Sequence, residues 1–171
     1  LLMRAFLLLI ALFFVGTASA QKQSIYADFG GTSGFGLSYD RRFAKNSPWG
    51  FRAGLGYGFL TVDGAVTDRA VLFPVSAYRL LGNGKHNLEL GAGLTLGVGW
   101  EDSDRVCSYY YKCDFPAESY FLSFLHTTVG YRLHTRSGFT LRAGINPLLV
   151  LSENNYTTLN AMPYLSVGYT F

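Results

Sequence analysis

Charged residues are scarce in this chain, and their spacing is its first chemical signal. Asp, Glu, Lys and Arg make up 15% of 171 residues, against 49% hydrophobic. Asp28, Asp40, Arg42, Arg52, Arg79, Glu89, Arg132 and Arg142 each interrupt an otherwise apolar stretch. Buried charges must pair, because an isolated one costs far more than burial returns. Five arginines against three acids predict an ion-pair network completed by water or tyrosine hydroxyls. An anion path is the alternative chemistry for the same residues. A second candidate is the pair Cys107 and Cys113 in RVCSYYYKCDF, among Asp102, Asp104, Arg105, Lys112 and Asp114. That setting reads as an exposed loop stapled by a disulfide. A metal site would need more ligands, and the closest histidine is His126, so no metal or cofactor is expected. Inside the loop, Tyr109, Tyr110 and Tyr111 offer rigid amphipathic contact area for a ligand. The other reading of these tyrosines is an aromatic girdle.

The elements that must position these residues are strands. Apolar residues alternate with small or polar ones, the period of a strand with one greasy face. The alternation predicts eight strands: Ser24 to Gly31, Gly34 to Phe43, Trp49 to Thr61, Val71 to Leu81, His86 to Trp100, Ser119 to His134, Phe139 to Leu151 and Ala161 to Phe171. The connections AKNSP, GNGK and TRSG read as tight turns. VDGAVTDRA, the cysteine stretch and SENNYTTLN read as longer loops, and only the first loop on that side, Gly31 to Ser33, is short. Tight turns at one end and long loops at the other are the layout of outer-membrane barrels. The expected fold is all-β: a single-domain, eight-stranded antiparallel up-and-down transmembrane barrel over residues 21–171.

Leu88, Leu90, Ala92, Leu94, Leu96, Val98 and Trp100 share one face of the fifth strand. Glu89, Gly91, Gly93, Thr95, Gly97 and Gly99 share the other. Phe51, Leu55 and Tyr57 oppose Gly50, Arg52, Gly54 and Gly56 in the same way. A glycine-rich row makes a poor solvent face but suits the crowded inside of a small barrel. The bulky row is therefore expected to face lipid, and the charged residues to form one inner band towards the tight-turn end.

Residues 1–20 are set apart as a secretory signal, with basic Arg4, an apolar core and Ala18-Ser19-Ala20 before the cut. Gln21 then follows, so no lipid anchor is expected. Without Arg4 the chain carries 13 basic and 11 acidic residues, a balance of +2 that implies no nucleic-acid partner.

The last strand, YLSVGYTF, carries Leu165, Val167, Tyr169 and Phe171 on one row. It resembles the final strand of bacterial outer-membrane β-barrels, which ends in a terminal aromatic. The resemblance implies that this row is an insertion signal read by the barrel assembly machinery. Residues 21–171 as a whole are similar to the small OmpA/OmpX-type barrels. YADFGGTSGFGLSYDRRF is similar to the first hairpin of uncharacterised outer-membrane barrel proteins of the Bacteroidetes group. The implied location is the bacterial outer membrane, with lipid and lipopolysaccharide as neighbours, a monomeric state, and a structural or loop-mediated binding role. A small-solute conduit is the alternative. FLHTTVGYRL is faintly similar to the H-x-S strand of outer-membrane lipid A deacylases. It has Thr128 in place of the serine, and His126 and Thr128 both fall on the inward row, so an enzyme is the weakest reading.

The staple is directly testable. Free-thiol counting on the exported, non-reduced protein should find no reactive thiol, and two would refute it. A Cys107→Ser/Cys113→Ser variant should lose about 2–3 kcal/mol of loop ordering by the chain-entropy model and keep its barrel.

Overall fold

The computed structural model describes residues 22–44, 46–62, 65–82, 84–101, 119–151 and 157–171. The predicted leader, Cys107, Cys113 and Tyr109 to Tyr111 lie outside the described residues. Eight strands run β1 Gln23–Gly30, β2 Gly34–Arg42, β3 Trp49–Val62, β4 Ala65–Leu81, β5 His86–Glu101, β6 Ser119–His134, β7 Phe139–Leu151 and β8 Thr157–Thr170. Each pairs antiparallel with its sequence neighbours, and β1 pairs with β8 to close the barrel. Closure leaves no sheet edge, so every strand finds hydrogen-bond partners on both sides.

Two connections differ from expectation. VDGAVTDRA is not a loop: β3 and β4 continue through it, with Thr61 opposite Val66 and Val62 opposite Ala65. β-branched Thr61, Val62, Val66 and Thr67 favour a strand, and Asp63-Gly64 is a two-residue hairpin signal. A register shift between Leu60 and Thr61 accompanies this extension. β8 likewise begins at Thr157, so the last four residues of SENNYTTLN are strand and residues 152–156 separate β7 from β8. The contrast between the barrel ends therefore rests on the segment between Glu101 and Ser119. Below, the end carrying Lys22, Gly84 and Gly138 is called the turn end, and the end carrying Ser33 the loop end.

The faces are inverted relative to a soluble protein. Leu88, Leu94, Leu96 and Val98 are 39–46% exposed, whereas Asn87, Glu89 and Thr95 are buried on the same strand. Leu165, Val167, Tyr169 and Phe171 also point out, while Tyr164 and Ser166 point in. Leu88 to Val98, taken at about 3.3 Å per residue and about 40° of tilt, spans roughly 25 Å, the height of an outer-membrane apolar band. Aromatic contacts gather at both ends of that band. Phe29 meets Phe35 and Tyr57 meets Trp100 at the loop end, and Phe43 stacks on Phe51 at the turn end.

The first turn is folded into the lumen. Gly30, Gly31 and Gly34 adopt φ of 78°, 61° and 63°, a region open mainly to glycine. This lets Gly31 pack on Asn146 and Tyr164, and the Ser33 carbonyl on Gly56. A methyl group at Gly56 would overlap the Ser33 backbone. At Gly58 it would meet only the tip of Leu72, at 3.2 Å. Gly56→Ala should therefore cost about 1–3 kcal/mol through overpacking, and Gly58→Ala distinctly less. Urea titration of both in lipid vesicles checks this, and equal losses would count against the tucked turn.

Candidate functional site: the interior ion cluster

Glu89 lies in the turn-end half of the lumen on β5 and is fully buried. Arg142 on β7 grips it with two bonds, Nη2 to Oε1 at 2.7 Å and Nε to Oε2 at 3.0 Å. Arg132 on β6 donates from Nε to Oε2 at 2.7 Å. Arg52 on β3 reaches across from Nη1 to Oε1 at 3.1 Å. The same arginines serve Asp40 on β2: Arg52 donates to Oδ2 at 2.7 Å and Arg132 at 3.0 Å. Tyr78 on β4 completes Asp40 through its hydroxyl, which donates to Oδ1 at 2.6 Å. Strands on opposite walls are thus tied together through charge-assisted bonds, the strong kind.

Aromatic rings line the cluster. The Arg132 guanidinium lies 4.3 Å from the Tyr78 ring centre, and that of Arg142 lies 5.0 Å from Tyr164. Tyr26, fully buried, stands within 6 Å of Arg52, Arg132 and Arg142. Glycines make room for these rings. Tyr78 abuts Gly50, and Tyr164 abuts Gly130 and Gly144. Backbone without side chains on the inner wall is what lets a ring and a guanidinium share so narrow a lumen.

Asp28 sits at the loop-end edge of the cluster, with Oδ1 at 3.9 Å from Arg142 Nη1. Arg142 Nη1 also donates to Ser166 at 3.2 Å. Beyond lies a cavity of about 30 Å³, walled by Asp28, Arg52, His126, Asn146 and the first turn. It has room for about two waters. Asp28 Oδ2 and the Tyr164 hydroxyl, both from cavity-lining residues, are buried with no hydrogen-bond partner among the described residues.

Two of the eight charged residues stand apart from this arrangement. Arg79 does not face inward. It is exposed on the outer wall, its guanidinium 5.5 Å over the ring of Trp49, its cross-strand partner. The inward row of β4 is Leu72, Pro74, Ser76, Tyr78 and Leu80, so Tyr78 occupies the inner height that Arg79 was expected to fill. Arg42 stays at the turn-end rim, with Nη2 at 3.4 Å from His134 Nε2. What remains is Arg52, Arg132 and Arg142 against Asp28, Asp40 and Glu89. Three charges of each sign replace the expected arginine surplus.

His126 and Thr128 face the lumen and are buried. His126 Nδ1 lies 3.2 Å from the Thr95 hydroxyl, and Thr128 accepts a bond from Asn146 Nδ2 at 2.8 Å. Each is held by a separate neighbour, as wall residues are. Tyr26 and Tyr78, central to the cluster, were not singled out by sequence. Their signal is parity: Tyr26 shares a face with Asp28, and both are buried.

The geometry makes Glu89 and Arg79 unequal in a measurable way. Glu89→Gln leaves arginines facing a neutral group in a dry lumen, and should cost about 3–5 kcal/mol. Arg79→Gln, at the edge of the lipid face, should change stability by no more than about 1 kcal/mol. Urea titration in vesicles measures both, and a neutral or stabilising Glu89→Gln would overturn the cluster's role in holding the walls together.

No family model matches this sequence, and no curated protein is significantly similar to it. Solved structures do match. The N-terminal barrel domain of Pseudomonas aeruginosa OprF superposes with a TM-score of 0.63 at 13% identity, covering 88% of this chain and 97% of that one. A major outer membrane protein of Thermus thermophilus gives 0.58 at 13%, covering 89% and 100%. Neisserial surface protein A gives 0.55 at 14%, covering 88% and 94%. With its closed antiparallel barrel, apolar outer wall and charged lumen, the chain has the eight-stranded fold of these small outer-membrane β-barrels.

Proposed function

We propose that this protein is an integral outer-membrane barrel whose role is structural or adhesive and is exercised at the loop end. The observation that carries the reading is the filled lumen. A cross-linked ion cluster fills its turn-end half, and the first turn packs above a cavity of about 30 Å³. A hydrated solute has no room to pass, which leaves the outer surface and the loop end as working parts. The charge-balanced cluster is also a poor anion path, since each arginine is already engaged by an acid. Two structural neighbours lend support by analogy of fold: a surface protein of Neisseria, and Ail, the attachment invasion locus protein of Yersinia pestis, which has also been solved with a heparin analogue.

In this orientation the turn end is periplasmic, as short turns are in bacterial outer-membrane barrels. Outer-membrane lipid and lipopolysaccharide then surround the apolar wall, and Leu165, Val167, Tyr169 and Phe171 serve the assembly machinery. The long connection contains Asp102, Asp104, Asp114 and Glu118 against Arg105 and Lys112. That balance favours a basic protein partner over a sulfated glycan, with Tyr109, Tyr110 and Tyr111 as contact residues and the Cys107–Cys113 staple holding them.

Replacing residues 106–114 with a short Gly-Ser turn should abolish adhesion of expressing cells to protein-coated surfaces and leave heat-modifiable barrel mobility intact. Planar-bilayer recordings of the unaltered protein should show no steady conductance. Stable conductance, or adhesion undiminished by the replacement, would sink the reading. Changed lipid A masses on expression would favour the enzyme instead.

A further inference from the structure

The turn end carries a concentration of positive charge that the ion cluster does not use. Lys22, Lys85, His134 and Arg136 line a mouth cavity of about 530 Å³, together with Gly138, Thr170 and Phe171. Arg42 lies outside this lining, with Nη2 3.4 Å from His134 Nε2. The described acids are Asp28, Asp40, Asp68, Glu89 and Glu101. Asp68 and Glu101 are opposite each other in the β4–β5 register near the loop end. Asp40 and Glu89 lie in the cluster, where each is held by arginines at 3.1 Å or less, and Asp28 lies beyond it near Arg142. No carboxylate side chain among the described residues is therefore free to neutralise the mouth. A carboxylate at Phe171 would offset one charge and no more.

The contrast with the lumen is chemical. Inside, three arginines meet three acids and the balance is zero. At the mouth, Lys22, Lys85 and Arg136 line an open bowl that no carboxylate side chain among the described residues enters. Like charges held around one concavity focus the local potential and concentrate anions. The volume is that of a small-molecule site, about seventeen times the interior cavity by the ratio of 530 to 30 Å³. We propose that the turn-end mouth is a binding site for a small, multiply anionic ligand bearing phosphate groups, taken up from the aqueous side and not from the bilayer. Lys22, Lys85 and Arg136 are its contact residues, with His134 in the wall beside them.

Inorganic tripolyphosphate is a suitable probe, titrated into the full barrel in nanodiscs of purely zwitterionic lipid. Amide shifts of Gly84, His134 and Gly138 should move together and saturate, with affinity falling as salt is raised. Lys22→Gln/Lys85→Gln/Arg136→Gln should weaken binding by at least about tenfold, and Lys85→Gln alone by less. Arg69→Gln, at the loop end, should leave it unchanged. Compact mobility of unheated samples confirms that each variant is folded. No saturable shift up to ~10 mM, equal binding by the triple variant, or shifts that arise only with anionic lipid and centre on Trp49 and Arg79 would each overturn the proposal.

Discussion

Backbone N–H and C=O groups have no water to turn to inside a hydrocarbon layer. Each one left unpaired there costs several kcal/mol. The β1–β8 pairing, from Ser24 opposite Thr170 to Gly30 opposite Tyr164, removes the last open edge. Other features of the molecule follow from that closure. A closed sheet of eight strands has one face that must be apolar and one that must fill a narrow interior. Leu88 and Leu94 lie outside and Glu89 and Thr95 inside because the environment around the sheet is lipid. Reversing the rows would put carboxylates in hydrocarbon and leucines in a lumen too tight for them.

The narrowness sets the terms for the charges. Glu89 alone has two oxygens and meets three guanidinium groups. Such a node is tolerable only where desolvation is offset by nearly complete pairing. Arg142 supplies it with a two-bond grip, Arg132 shares itself between Glu89 and Asp40, and Tyr78 supplies the remaining proton. Large rings then fit because Gly50, Gly130 and Gly144 yield space. The glycine row and the ion cluster are two sides of one packing solution.

Much of this was legible because a strand's period of two leaves little freedom. On β5 and β8, bulky residues keep one parity and small or polar residues the other, so the faces could be assigned directly. On β4 the signal fails. Leu72 and Pro74 on one row oppose Phe73 and Val75 on the other, with no glycine series to break the tie. By charge Arg79 belongs inside, but by parity it shares the outer row with exposed Phe73 and Val75. The β3–β4 hairpin was hidden for a related reason. Its residues are polar enough to read as a loop, while their β-branching and the Asp-Gly pair point to strands and a turn. The tucked first turn was beyond reach from sequence, because it depends on Gly56, Asn146 and Tyr164, which are distant in the chain.

Stability alone does not explain why the lumen is charged. Well-packed apolar residues often replace a buried ion cluster at no cost, or with a gain. An apolar lumen would, however, erase the difference between the two faces. A one-residue slip exchanges the faces of a strand, and with both rows greasy the slip would carry little penalty. With Glu89, Arg132 and Arg142 on the inner row, a slip drives charges into hydrocarbon and breaks the pairs at once. Arg132 opposite Arg142 on neighbouring strands sharpens the point. These two cations lie side by side and are stable only in the register that offers both of them Glu89. The cluster thus fixes which face turns inward and which residue stands opposite which, and that is a reason for a membrane barrel to retain charges that its core could do without.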